Sequence, residues 1–188
     1  LEIEKNILFS DKKLISLCEA GNELGYSLFY QRYSKPIYNS VIRLVTDFSE
    51  AEDITQDIFI TIFSDIKKLN NIENIEAWLK RVAVNKSISH LRKKKKVYFT
   101  DIENTSIVDE SEDLLVEKQD WDGKIEQIIT IIESLPTETR TIVNLFLFEN
   151  IPQEEIAKLL GITNTTVRSK YHRAKKKILE LLLQKNIS

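Results

Sequence analysis

The chain has 188 residues, 42% of them hydrophobic and 30% charged, which suits a buried core in one large or two small domains. Its uncharged runs, such as TIVNLFLF at 141–148, fall far short of the ~20 apolar residues that a membrane span needs, so no membrane insertion is expected. The net charge of −2 conceals a segregation: residues 1–97 carry 16 basic and 13 acidic side chains, residues 98–120 carry 1 and 8, and residues 121–188 carry 10 and 8.

Acid concentrated in the middle predicts two domains, 1–97 and 119–188, joined by an acidic, flexible linker at 98–118. The opening LEIEKNILFSDKK lacks the basic, apolar and small-residue order of a signal peptide, and a cytoplasmic location is expected. Cys18 is the only cysteine and falls in the apolar set of a helix, where it reads as a small buried hydrophobe. With only two scattered histidines beside it, neither a metal nor another cofactor is expected.

Four glycines, three prolines and apolar residues at spacings of three and four predict an all-α protein. Ser10 caps a first helix containing Leu14, Leu17 and Cys18, and Asn22 opens a second running through Leu28, Phe29 and Tyr33 towards Pro36. A further helix is expected after Pro36, with Ile37, Val41, Leu44 and Val45 inward. Ser49 and Glu52 read as a capping box opening a helix with Ile54, Ile58, Ile62 and Ile66 on one stripe, flanked by Phe59 and Phe63. Its other side carries Glu50, Asp53, Gln56, Asp57 and Thr61. Taken alone, this acidic ridge reads first as a solvated face.

A loop, KKLNNIEN, leads to IEAWLKRVAVNKSISHLRKKKK, where Trp78, Val82 and Ile88 or Leu91 can face inward. Between Glu76 and Asp101 there are eight Lys and Arg and no acid. The tetrad Lys93 to Lys96 also fits a solvated helix end favoured by the macrodipole. The whole basic side, with Trp78 and the amides of Asn70, Asn71 and Asn85 nearby, points to nucleic acid.

Beyond the linker, Trp121 to Ser134 repeats apolar residues at Ile125, Ile128, Ile129 and Ile132. Pro136 suits the first turn of a helix carrying Ile142, Val143, Leu145, Phe146 and Phe148, and Pro152 opens a short one. In PQEEIAKLLGITNTTVRSKYHRAKKKIL, Ile156, Ala157, Leu159 and Leu160 form an apolar face, Gly161 supplies a left-handed turn and Thr163 caps the next helix. That is helix-turn-helix grammar. Val167, Tyr171, Ala174 and Ile178 would face the core, leaving Arg168, Ser169, His172, Arg173 and Lys176 outside. A helix over 164–179 is about 24 Å long, and its first half fits a DNA major groove. A generic helical hairpin explains the apolar pattern but not seven Lys and Arg between Glu155 and Glu180 with no acid among them.

EAEDITQDIFITIF, then NIEAWLKRVAVNKSISHLRKKKK, then Leu135-Pro136 with Arg140, and finally EEIAKLLGITNTTVRSKYHRAKKKI together resemble the extracytoplasmic-function (ECF) group of bacterial RNA polymerase sigma factors of the sigma-70 type. The resemblance covers residues 10–184. It implies that the first domain is sigma region 2, whose D-I-x-Q-[DE]-x-F pattern at Asp53, Gln56, Asp57 and Phe59, with Glu50, docks on the clamp helices of the largest core RNA polymerase subunit. Phe59 would pack rather than touch. The loop Lys68–Glu76, with Leu69, Asn70 and Asn71, would capture a flipped base of the −10 element, and Trp78, Asn85 and Ser89 would contact its neighbours. Lys80, Arg81, Arg92 and Lys93 to Lys96 would hold the DNA backbone and the upstream duplex.

By the same resemblance the second domain is sigma region 4, which binds the polymerase flap. Arg168, Ser169, His172, Arg173 and Lys176 would face the −35 element, with Thr165 and Thr166 at phosphate. A 21-residue linker reaches about 70 Å extended, against about 85 Å for roughly 25 base pairs, so two domains and this tether span both elements. An anti-sigma partner is also implied. The chain departs from the family's pattern at Leu69, where an aromatic is frequent, and at Pro152. A free-standing helix-turn-helix regulator of duplex DNA is the alternative, set against the second basic helix. An enzyme built on Asp53 and Asp57 lacks a nucleophile, phosphate loop or metal ligand set.

Overall fold

A computed structural model of the chain describes residues 9–94 and 121–185, and over these the secondary structure is helical with no strand. The chain divides into two compact units, Leu1–Lys94 and Lys95–Ser188. The expected linker 98–118, with Lys95 and Lys96 of the basic tetrad, lies outside the described residues.

The first unit contains α1 (Asp11–Glu19), α2 (Glu23–Val45), α3 (Phe48–Ser64), a short 3-10 helix (Ile66–Asn71) and α4 (Ile75–Lys93). The expected caps are present. Ser10 Oγ accepts from the Lys13 N–H at 3.3 Å, and Asn22 Oδ1 accepts from the Leu24 and Gly25 N–H groups at 3.0 and 3.3 Å. Each cap satisfies a donor that the helix itself leaves unpaired. The central element is α2, which packs against α1, α3 and α4. Phe29, Ile37, Ile58 and Leu79 are fully buried, and burial of such side chains contributes about 1.5–3 kcal/mol each.

Two expectations are corrected. The chain does not break at Pro36, because α2 runs through it as one helix of 23 residues. Proline removes one hydrogen bond and crowds the preceding turn, a cost of about 3 kcal/mol. Leu28, Phe29 and Tyr33 before it and Ile37, Val41 and Leu44 after it are all buried, and their shared packing offsets that cost. Nor does Ser49 cap α3. The helix begins earlier, at Phe48, and Asp47 Oδ1 accepts the Glu50 N–H at 3.0 Å. Asp47 followed by Glu50 has the same spacing as Ser49 followed by Glu52, and the residue type alone does not choose between them.

The second unit contains α5 (Trp121–Glu133), α6 (Thr137–Leu147), α7 (Gln153–Leu160) and α8 (Asn164–Lys185). Here α8 is the hub, touching α5, α6 and α7. Ile132, Leu135, Val143 and Ala174 form one cluster of its core, with Ile128, Phe148, Tyr171 and Ile178 packed around them. Pro136 stands one residue ahead of α6 rather than in its first turn. Arg140 secures the corner: its Nη1 donates to the Glu133 carbonyl at 3.0 Å, closing the end of α5 onto α6. Burial pushes its guanidinium pKa down, so the carbonyl contact offsets a desolvation cost.

Candidate functional site

In the first unit, α3 places Glu52, Asp53, Gln56, Asp57, Ile60 and Thr61 in solvent, while Ala51, Ile54, Ile58, Phe59 and Ile62 are buried. Phe59 belongs to the packing, with its ring centroid 4.8 Å from that of Tyr30. Ile60 is 67% exposed and interrupts the acidic ridge with an apolar surface. Glu50 departs from the expected ridge. Its side chain turns to α4, where His90 Nε2 lies 2.8 Å from Glu50 Oε2 and Lys94 Nζ pairs with Oε1.

On α4 the inner face is Ile75, Leu79, Ala83, Val84, Ser87, Ile88 and Leu91. Arg81, Asn85, Ser89 and Arg92 follow one another at three or four residues and are exposed, with half-buried Trp78 one turn before Arg81. They make one stripe. Lys93 is exposed at the helix end, where a cation suits the macrodipole. Lys80 lies off that stripe, and its Nζ is 2.7 Å from Glu76 Oε1.

The loop before α4 corrects another expectation. Part of it is the 3-10 helix, and Leu69 is 1% exposed, so its side chain is core and cannot meet a base. In a 3-10 helix residues three apart share a face, and Leu69 shares the buried face of Ile66. Leu69 is directed inward, and Asn70 and Asn71 stay exposed. Asn70 Nδ2 donates to Glu19 Oε1 at 2.6 Å, tying the loop to the last residue of α1.

In the second unit Gly161 adopts φ 72°, ψ 34°, the left-handed conformation that ends α7 and that glycine enters without steric cost. Thr163 Oγ1 accepts the Thr166 N–H at 3.2 Å and stands 2.9 Å from Thr166 Oγ1. Thr166 is therefore corrected as well: at 2% exposure its hydroxyl is enclosed and engaged, which leaves Thr165 as the exposed hydroxyl of that turn. Val167 and Ala174 are buried, and the Tyr171 ring packs edge-on to Phe146 at 4.7 Å. Arg168, His172, Arg173 and Lys176 are exposed on α8, with Ser169 half-buried. Lys170 faces elsewhere. Its Nζ lies 2.6 Å from Glu138 Oε1 of α6, with only 12% of the side chain exposed.

Two family models match the chain, Sigma-70 region 2 over residues 29–97 and Sigma-70, region 4 over residues 125–178. The first contains α3, the 3-10 helix and α4, and the second contains the helix-turn-helix. The chain belongs to the ECF group of sigma-70-type sigma factors. It is 28% identical over 183 residues to the ECF RNA polymerase sigma factor SigW of Bacillus subtilis (strain 168), covering 91% of this chain and 96% of that one. It is 26% identical over 179 residues to the RNA polymerase sigma-H factor of Pseudomonas aeruginosa, covering 89% and 91%. Among solved structures, it resembles the sigma factor RpoE of Bartonella quintana in complex with the anti-sigma factor NepR, with TM-score 0.49, 20% identity, and 84% and 96% of the two chains covered.

For an ECF sigma factor, three features of these surfaces escape the sequence pattern. Ile60 stands three residues after Asp57, so ridge spacing alone would have found it, but an isoleucine between Ile58 and Ile62 reads as core. The Glu19–Asn70 pair joins residues 51 apart and leaves no local signal. The inward turn of Lys170 depends on where α6 places Glu138.

Proposed function

We propose that this ECF sigma factor binds core RNA polymerase through its first unit, directs it to promoters carrying two elements, and helps to melt the −10 element. The observation that carries this reading is the pairing of unlike surfaces on neighbouring helices: an exposed acidic ridge on α3 and, on α4, an exposed Arg and amide stripe beside Trp78. Acid excludes DNA and suits a basic protein surface, while cations with amides and an aromatic suit single-stranded DNA.

In this reading Asp53, Gln56, Asp57 and the apolar Ile60 meet the polymerase clamp helices, and Glu50 supports them from behind. Asn70 and Asn71 receive a flipped −10 base, with Trp78, Asn85 and Ser89 on its neighbours and Arg81, Arg92 and Lys93 on phosphates. Lys80 joins the backbone contacts when it leaves Glu76. A base held in the loop is available only from an open duplex, so its binding energy favours melting, and no covalent step by the sigma factor is needed. In the second unit, α8 presents Arg168, Ser169, His172, Arg173 and Lys176 to the −35 element, and Thr165 to phosphate. The same unit meets the polymerase flap. Residues 1–97 and 119–188 act as the two domains, with 98–118 as the tether. The protein works in the cytoplasm, without a cofactor, and an anti-sigma partner masks the two polymerase-binding surfaces until it is released. None of the described helices is long and apolar enough to cross a membrane.

Run-off transcription with purified core polymerase on a genomic fragment library tests this. Transcripts from one shared two-element promoter, lost with Asp57→Arg and weakened with Arg173→Ala, are expected. Absence of transcription, with a specific duplex shifted by the chain alone, would replace this reading with a free-standing regulator. Purification from unstimulated cells without any bound partner would remove the anti-sigma component.

A further inference from the structure

Resting on the base-capture reading of the loop above, we infer that Glu19, outside the loop and at the end of α1, is a specificity-determining residue for the captured −10 base. It makes the site prefer cytosine or adenine, whose exocyclic amines stand at C4 and C6, and reject thymine.

The geometry is as follows. Leu69 is locked in the core, and the 3-10 helix that carries it packs on α1, so the exposed Asn70 is held beside the end of that helix. There Asn70 Nδ2 donates to Glu19 Oε1 at 2.6 Å. A carboxylate accepts and does not donate, so the orientation of the Asn70 amide is fixed by chemistry: its NH2 faces Glu19 and its Oδ1 faces away. One N–H of that amide is used by the pair. The other N–H stays available, and beside it Asn70 Oδ1 and the unused lone pairs of the Glu19 carboxylate present acceptors.

Cytosine and adenine each present an exocyclic NH2 on the edge that an extruded base shows to a protein, and a carboxylate accepting from cytosine N4 is a recurrent specific contact. Thymine presents carbonyl oxygens on both sides of its one N–H. With one donor it can satisfy only one of Asn70 Oδ1 and Glu19, and the acceptor left facing an acceptor disfavours it.

The test is competitive run-off transcription by the holoenzyme on a promoter library with the −10 element randomised, sequencing the transcripts for the chain as it is, Glu19→Ala and Glu19→Lys. Ratios between bases within one library cancel any uniform change in DNA affinity or in the amount of folded protein. The unsubstituted chain is expected to deplete thymine at one −10 position by roughly tenfold relative to cytosine or adenine. Glu19→Ala should abolish most of that depletion. Glu19→Lys, by donating to Asn70 Oδ1 and turning the NH2 outward, should shift the preference towards thymine or guanine at the same position. An unchanged profile in both variants, or thymine accepted equally by the unsubstituted chain, would overturn the inference while leaving the sigma reading intact. No promoter-dependent transcription by the unsubstituted chain would overturn that reading, and this inference with it.

Discussion

Glu50 Oε2 lies 2.8 Å from His90 Nε2, which fastens the first turn of α3 to the last turn of α4 across 40 residues of sequence. Lys94 pairs with the other carboxylate oxygen. The helix with the acidic ridge and the helix with the basic stripe are thereby held together at one end, while Lys86 Nζ reaches Thr61 Oγ1 at 3.4 Å further along.

That contact separates Glu50 from its ridge neighbours. Its side chain is only 18% exposed and already paired, so Glu50→Ala should loosen the end of α4, costing about 1 kcal/mol, typical of a partly screened ion pair. Hydrogen exchange of the last α4 amides should accelerate. Holoenzyme formation should fall far less than with Asp57→Arg; an equal loss would show that Glu50 meets the polymerase directly.

On α8 two cations should behave differently. Arg173→Ala should weaken duplex binding and lower the slope of log affinity against log salt by about 0.9, the effect of one phosphate contact. Lys170→Ala should leave that slope unchanged, because Lys170 is turned to Glu138, and should instead lower the melting temperature of the second unit. Titrations at several salt concentrations, paired with thermal unfolding, distinguish the two.

Gly25 of α2 stands against Leu17 and Cys18 of α1. A Cβ there would meet Leu17 Cβ at 2.6 Å and the Cys18 backbone nitrogen at 3.0 Å, so the two helices would have to separate. Gly25→Ala should destabilise the first unit by roughly 1–3 kcal/mol despite the better helix propensity of alanine. Urea unfolding followed by tryptophan fluorescence of Trp78 gives the value.

Tyr33 is buried, and its hydroxyl donates to Asp11 Oδ1 at 2.6 Å, an oxygen that also accepts from Arg32 Nη1 at 2.7 Å. Burial first, and then the hydrogen bond to Asp11, push its pKa well above the ordinary 10.0. The folded state therefore retains this proton more strongly than the unfolded state. The contribution is complete below the unfolded value near pH 10 and is lost as pH rises above it. Tyr33→Phe should cost about 1 kcal/mol at pH 8 and flatten the alkaline decline, as read from urea midpoints at pH 8 and pH 10.5.

Local patterns made much of this protein legible. Ser10, Asn22 and Thr163 cap helices because their short side chains satisfy nearby amides, and Gly161 turns left-handed because it lacks a Cβ, both properties of the residues and their immediate neighbours. The same holds for the stripe formed by Arg81, Asn85, Ser89 and Arg92, which follows from helical period. Tertiary structure decided what period leaves open. Pro36 continues α2 because helices on several sides hold both halves, and Leu69 leaves the base-facing set because α1 provides a core for it. The orientations of Glu50, Lys170 and Asn70 were set by partners 40, 32 and 51 residues away. A charged or amide side chain has several reachable orientations on its own helix, and only the groups that folding brings beside it select one.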